Sequence, residues 1–204
     1  MIVPSVFHTT STGFGCTTVA KKYAGIGASL VAHIKNTRTP FSIDFGVGDV
    51  IVPKQEKRKI PTQLDDFISP TVNTYSLETT IAEKLDAILD LMEFSSRMKD
   101  YYDIYYLANK FDFDGATLTK ALKKTFENRG HAFTIEQFEQ VMAFAENYAM
   151  QKKWKAFCRK IDIKTDDFNT VLKTIKTFLV KPFTAAVDSV DFAENWTAQN
   201  GEWI

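Results

Sequence analysis

The chain changes its hydrophobic period once, near residue 75, and that switch restricts the folds open to it. Before it, apolar residues recur at every second position. Ile26, Ala28, Leu30, Ala32 and Ile34 alternate with other residues, and Phe41, Ile43, Phe45 and Val47 alternate with Ser42, Asp44 and Gly46. A period of two marks a strand with one face buried. Residues 36–40 read as a turn, so the two runs are expected to pair antiparallel, with Asp44 on the face opposite the phenylalanines. Val50, Ile51 and Val52 end at Pro53, and a charged loop is expected over Lys54, Glu56, Lys57, Arg58 and Lys59. A further strand is expected near residues 71–75. Residues 1–18, rich in Thr, Ser and Gly, read as irregular.

After Tyr75 the spacing becomes helical. Ser76 is placed to cap a helix, with Glu78 in its first turn and Ile81, Leu85, Ile88, Leu89 and Met92 along one stripe. A second helix, from Ser95 or Ser96 to Asn109, is apolar or aromatic nearly all round and reads as buried. A third covers residues 117–128 and stops at Gly130. Thr134 and Gln137 have the spacing of a capping box for a fourth, running to Arg159. Asp166 and Asp167 open a fifth, expected to end before Pro182. The last residues, with Trp196 and Trp203, either dock back or fray. Strands first and helices after predict an α+β fold: a small mixed or antiparallel sheet, then an α-helical bundle. The expected divisions are a sheet region over residues 1–74, a helical domain over 75–185 and a tail over 186–204.

Charge narrows the functions available. The 25 basic and 25 acidic residues balance, so bulk electrostatics offers no attraction to nucleic acid and any such binding needs a local patch. Lys120, Lys123, Lys124 and Arg129, with Lys152, Lys153, Lys155, Arg159 and Lys160, form either that patch or an ordinary solvated face. Cys16 and Cys158 read as reduced thiols of a cytoplasmic protein. No apolar run approaches the roughly 20 residues of a membrane span, and the first residues lack the features of a signal peptide. His8, His33 and His131 are too scattered for a ligand set, and no phosphate-binding glycine loop is present.

Two helical segments carry candidate chemistry. Lys84 falls at the margin of the stripe made by Ile81, Leu85, Ile88 and Met92, where it reads either as an ordinary solvated helix lysine or as one that lies along the core and holds its ammonium at a cleft edge. Glu83, Asp86 and Asp90 are expected on the far side, facing solvent. Asp100 and Asp103 are three residues apart and share a helix face beside Ile104 and Leu107, a costly place for carboxylates unless they are paired. Either Arg97 pairs with Asp100 and Lys99 with Asp103 to fix the helix end, or one aspartate orients a lysine or contacts a nucleotide. Asp112 and Asp114 have the D-x-D spacing of metal-dependent transferases, but they precede Gly115 and read better as turn and cap residues.

The segments YAGI at 23–26, FSIDFGVGD at 41–49, PTQL at 61–64, YSLETTIAEKLDA at 75–87, SRMKDYYDI at 96–104 and ALKKTFENR at 121–129 resemble, in order and spacing, the AbiEii/AbiGii nucleotidyltransferase toxin family. The resemblance covers residues 20–180. It implies a DNA polymerase β-like mixed sheet followed by a helical domain, with a nucleotide cleft between them. It also implies Mg²⁺-dependent transfer of a nucleotide from an NTP to an RNA acceptor, for some relatives a tRNA 3′ end. The setting it implies is abortive infection and phage defence, within a type IV toxin–antitoxin pair that supplies a cognate antitoxin as partner. By the same resemblance Lys84 touches NTP phosphates, with Asp100 and Asp103 as its aspartates, Arg97 and Lys99 beside the nucleotide, and Asp44 at a metal-facing sheet position. The family's Gly-Gly-Ser/Thr turn and D-x-D strand are not found in this sequence, which leads to the expectation of a chain equivalent to the carboxyl-terminal two-thirds of a family member. The alternative expectation is a catalytically inactive member that binds an antitoxin or RNA.

Overall fold

The computed structural model describes residues 8–16, 25–34, 36–46, 48–63, 65–94 and 96–204. Contacts divide the chain into two compact units, residues 1–49 and 50–204.

The first unit holds three antiparallel strands, β1 (His8–Cys16), β2 (Gly25–Ile34) and β3 (Thr37–Gly46), in the order β1-β2-β3. The predicted pairing of β2 with β3 is present, with Phe41 opposite Leu30, Ile43 opposite Ala28 and Asp44 opposite Gly27. The turn is tighter than expected, because Thr37 already belongs to β3. Residues 8–16 are a strand rather than irregular. Thr9, Thr10 and Thr12 suit a pleated backbone, and their hydrogen-bonding partner is β2, which local composition does not reveal. Ala28 and Val31 are buried, whereas Phe41, Ile43 and Phe45 are exposed. β3 is an edge strand, so its side chains have a strand neighbour on one side only. Val47 lies outside the described residues, as does the side chain of Asp44.

The second unit begins with a hairpin of β4 (Glu56–Lys59) and β5 (Thr71–Thr74). The expected charged loop is therefore partly strand. Its charges stand on an exposed two-stranded ribbon, where Arg58 meets Glu56 at 2.6 Å and Ile60 N–H reaches the Pro70 carbonyl at 2.9 Å. Six helices follow: α1 (Leu77–Leu91), α2 (Met98–Lys110), α3 (Gly115–Arg129), α4 (Ile135–Met142), α5 (Tyr148–Lys160) and α6 (Phe168–Asp188). With β6 (Phe113–Asp114), β7 (Asn195–Thr197) and β8 (Glu202–Trp203) making a small antiparallel sheet, the fold is α+β as predicted.

The predicted caps set the helix ends. Ser76 accepts from Thr79 N–H, Thr134 and Gln137 complete a reciprocal capping box, Asp167 caps α6, and Gly130 ends α3 at φ 66°. Val52 is pinned to the start of α1: its N–H donates to Thr79 Oγ1 at 2.8 Å, and its carbonyl accepts from the Ser76 and Thr79 hydroxyls. Asp114 caps α3 and Asp112 accepts from Ala198 N–H at 2.8 Å, so both aspartates of the D-x-D do backbone work.

Two helix boundaries differ from expectation. The fourth predicted helix is broken by a 3₁₀ turn, Ala143–Glu146, after which Asn147 caps α5 by accepting from Met150 N–H at 3.1 Å. A short polar side chain that satisfies a helix start competes with helix continuation. α6 does not stop before Pro182 but runs through it to Asp188. Proline at this position leaves the Phe178 carbonyl, four residues earlier, without its helical donor. The indole Nε1 of Trp203 supplies one at 2.9 Å, and its ring stacks on Phe178. Trp196 does the same for the end of α2, donating to the Ala108 carbonyl at 2.7 Å. The tail therefore docks. Gly115 admits it closely: a Cβ there would lie 2.4 Å from the Glu194 carbonyl oxygen.

α6 packs against α2, α3, α4 and α5. Val171, Ile175, Phe178, Leu179 and Phe183 on it are buried, each contributing about 1.5–3 kcal/mol on burial. α2 is buried on one face only: Met98, Tyr101, Ile104 and Ala108 are inside, while Tyr106 is exposed. Among the described residues no helix is long and apolar enough to cross a membrane.

Candidate functional site

The apolar stripe of α1 faces the core, and its two flanks carry charge. On the flank toward α2, the marginal position of Lys84 lets its stem lie along the core while Nζ reaches out. Nζ is 3.1 Å from Asp100 Oδ1 and 2.5 Å from Asp103 Oδ2. Arg97 Nε contacts Asp100 Oδ2 at 2.5 Å, and Lys99 Nζ contacts Asp103 Oδ2 at 2.6 Å. The sequence offered a choice between a lysine orientated by the aspartates and local Arg97–Asp100 and Lys99–Asp103 pairs; both sets of contacts are present at once. Asp100 sits in the first turn of α2, where the helix dipole favours an anion. Its side chain is 4% exposed and that of Lys84 18%, so the pair is sheltered but reachable from solvent. Arg97 and Lys99 are exposed. Among the described residues three cations, Lys84, Arg97 and Lys99, meet the two carboxylates.

On the other flank the expectation is overturned. Asp86 does not face solvent: it is 1% exposed, because α3 packs over that side of α1. Arg129 Nη1 donates to Asp86 Oδ2 at 2.8 Å and also pairs with Glu83, and His131 Nδ1 lies 2.8 Å from Asp86 Oδ1. Glu83 is correspondingly sheltered, and only Asp90 remains exposed, 3.7 Å from His131 Nε2. Arg129 is thereby removed from the basic patch in which its charge placed it. A carboxylate this deep is tolerable only with such partners. Sequence reasoning missed the cluster because its halves lie 43 residues apart; the available signal was Glu83 and Asp86 sharing a helix face one turn apart, and Arg129 standing directly before the Gly130 that ends α3.

Among the described residues no three His, Cys, Asp or Glu side chains converge as a cation cage. Asp100 and Asp103 already face cations, so the described carboxylates do not by themselves fit a magnesium ion. Asp44 lies in β3, opposite Gly27, and its side chain is outside the described residues. Cys158 is a free thiol, half-buried, and burial pushes its pKa up.

A family model described as "Nucleotidyl transferase AbiEii toxin, Type IV TA system" matches residues 5–187. The chain belongs to that family, and so is a nucleotidyltransferase toxin of a toxin–antitoxin system with an antitoxin as its counterpart. No curated protein and no solved structure matches the chain.

Proposed function

We propose that the Lys84–Asp100–Asp103 cluster is the nucleotide-handling site of a transferase that moves a nucleotide from an NTP to an RNA acceptor, such as a tRNA 3′ end, in the cytoplasm of a cell under phage attack. The observation that supports this most is Lys84 Nζ braced at 3.1 Å and 2.5 Å by two carboxylates, in a chain of a nucleotidyltransferase family. Bracing fixes the ammonium in place before the substrate arrives, so it stabilises phosphoryl charge without reorganising. Arg97 and Lys99, exposed beside it, are the further nucleotide contacts.

In the transfer, an acceptor hydroxyl oxygen bonds to the α-phosphorus of the NTP. The bond from that phosphorus to the bridging oxygen breaks, pyrophosphate leaves with the electron pair, and the hydroxyl proton passes to water. Lys84 faces the charge that grows on the phosphoryl oxygens; Asp100 and Asp103 position Lys84. Membership of a nucleotidyltransferase family supports NTP and divalent metal as the reactants to supply, and Asp44 is the carboxylate of β3 proposed as metal-facing.

The test is label transfer from α-labelled NTP to total RNA with Mg²⁺ supplied. Lys84→Ala is expected to lower the rate by about 10²–10³-fold, as removal of one preorganised charge-stabilising group does, with the helical far-ultraviolet spectrum retained. Equal transfer by the variant and the parent chain contradicts the assignment. RNA or antitoxin binding without any transfer by the parent chain would leave it an inactive binding module.

A further inference from the structure

Helix α5 (YAMQKKWKAFCRK) contains five basic residues and no acidic one. Tyr148, Lys152, Lys155 and Arg159 follow one another at intervals of four, three and four residues, which confines them to a stripe about 60° wide. Met150 and Trp154, on the opposite face, are buried in the bundle. Lys152, Lys155, Arg159 and Lys160 are exposed and form no ion pair among the described residues. Elsewhere Lys84, Lys99, Lys124, Lys176 and Lys181 each close on a carboxylate. The stripe is thus a strip of uncompensated positive charge on a chain with none overall.

Aromatic rings accompany it. Lys153 Nζ donates to the Glu93 carbonyl at 2.9 Å, which draws the 3₁₀ turn Met92–Phe94 against α5. Phe94 on that turn is 85% exposed and Tyr148 at the start of α5 is 79% exposed. Tyr148 lies within the stripe, and Phe94 stands on the helix flank marked by Lys153; single-stranded nucleic acid uses open rings with a basic track, phosphates following the cations and bases stacking on the rings. Three residues beyond Phe94 the chain reaches Arg97, which holds Asp100. A membrane surface fits less well, because the apolar face of α5 is committed to the core and has nothing to insert.

We propose that the exposed face of α5, with Phe94 and Tyr148, is the docking track for a single-stranded segment of RNA, and that it delivers the strand toward the Lys84 cluster. The choice of RNA rests on the transfer reading above. The test is fluorescence anisotropy of a labelled single-stranded RNA oligonucleotide with the full chain across a salt series. Replacing Lys152, Lys155 and Arg159 together by Gln is expected to lower affinity and flatten the salt dependence by about 2 in logarithmic slope, roughly 0.7 for each lost phosphate contact. The triple Glu replacement is expected to weaken binding further, and Phe94→Ala with Tyr148→Ala to weaken it without changing the slope. Unchanged affinity in both triple variants overturns the proposal, and so does binding to phosphatidylserine vesicles with none to RNA. If the triple variants lose RNA while Lys84→Ala still transfers label, the transfer reading fails and the track stands.

Discussion

On one flank of α1, Asp86 is sealed under α3 against Arg129 and His131; on the other, Lys84 is held open between Asp100 and Asp103. Both are ion clusters between neighbouring helices, yet their charge balance is opposite. Among the described residues the Asp86 side has Arg129 and His131 facing Glu83, Asp86 and Asp90, so carboxylates are in excess. Among the described residues the Lys84 side has Lys84, Arg97 and Lys99 facing Asp100 and Asp103, so cations are in excess. A sealed, anionic cluster has nothing to offer a nucleotide and serves to fix α3 on α1. A reachable, cationic one can exchange part of its internal pairing for phosphate. Having charged residues on a helix does not by itself separate the two flanks; burial and the sign of the excess do.

That contrast can be broken most forcefully on the sealed side. Arg129→Met leaves Asp86 buried without its guanidinium and is expected to cost about 3–5 kcal/mol of stability, read from urea unfolding, while label transfer per folded molecule stays near the parent value. Equal stability would mean that the cluster does not fasten the helices. Trp196→Phe touches neither flank and orphans the Ala108 carbonyl; the loss expected is about 1–3 kcal/mol, again with transfer per folded molecule unchanged. Lys99→Ala removes an exposed pair with Asp103, whose worth is about 0.2–1 kcal/mol, so a larger loss in unfolding experiments would show that the open cluster is also structural.

The smallest effect concerns alkali. Burial, and then the hydrogen bond and charge of Asp166, push the Tyr105 pKa from 10.0 up to about 12. The protonated phenol is favoured in the folded chain, so this contribution is whole below pH 10 and is lost as pH rises through about 12. Burial also pushes the Tyr101 pKa up, so spectroscopic titration should show late ionisation from both tyrosines, of which Tyr105→Phe removes only the Tyr105 share; an unchanged titration would argue against the contact with Asp166.

Much of this was legible in the residue pattern, for identifiable reasons. Caps are local, so Ser76, Gly130, the Thr134–Gln137 box and Asp167 marked their helices correctly. That Asp100 and Asp103 would need cationic partners was legible, because helical spacing sets them on one face beside apolar residues. What was missed depends on distant chain. Asp86 looked solvated until α3 covered it. Pro182 looked like a stop until Trp203, 21 residues on, supplied a donor to the carbonyl it orphaned. Residues 8–16 looked irregular because their hydrogen bonds go to β2.

The most direct measurement is the affinity for an NTP analogue with a non-cleavable α–β linkage, taken by calorimetry on the parent chain, Lys84→Ala and Arg129→Met. Weaker binding by about tenfold or more in Lys84→Ala alone, the loss of a charge-assisted contact worth about 1.5–3 kcal/mol, is the expected result. Parent-like binding by Lys84→Ala, or a loss confined to Arg129→Met in its folded state, would assign the two flanks the wrong way round.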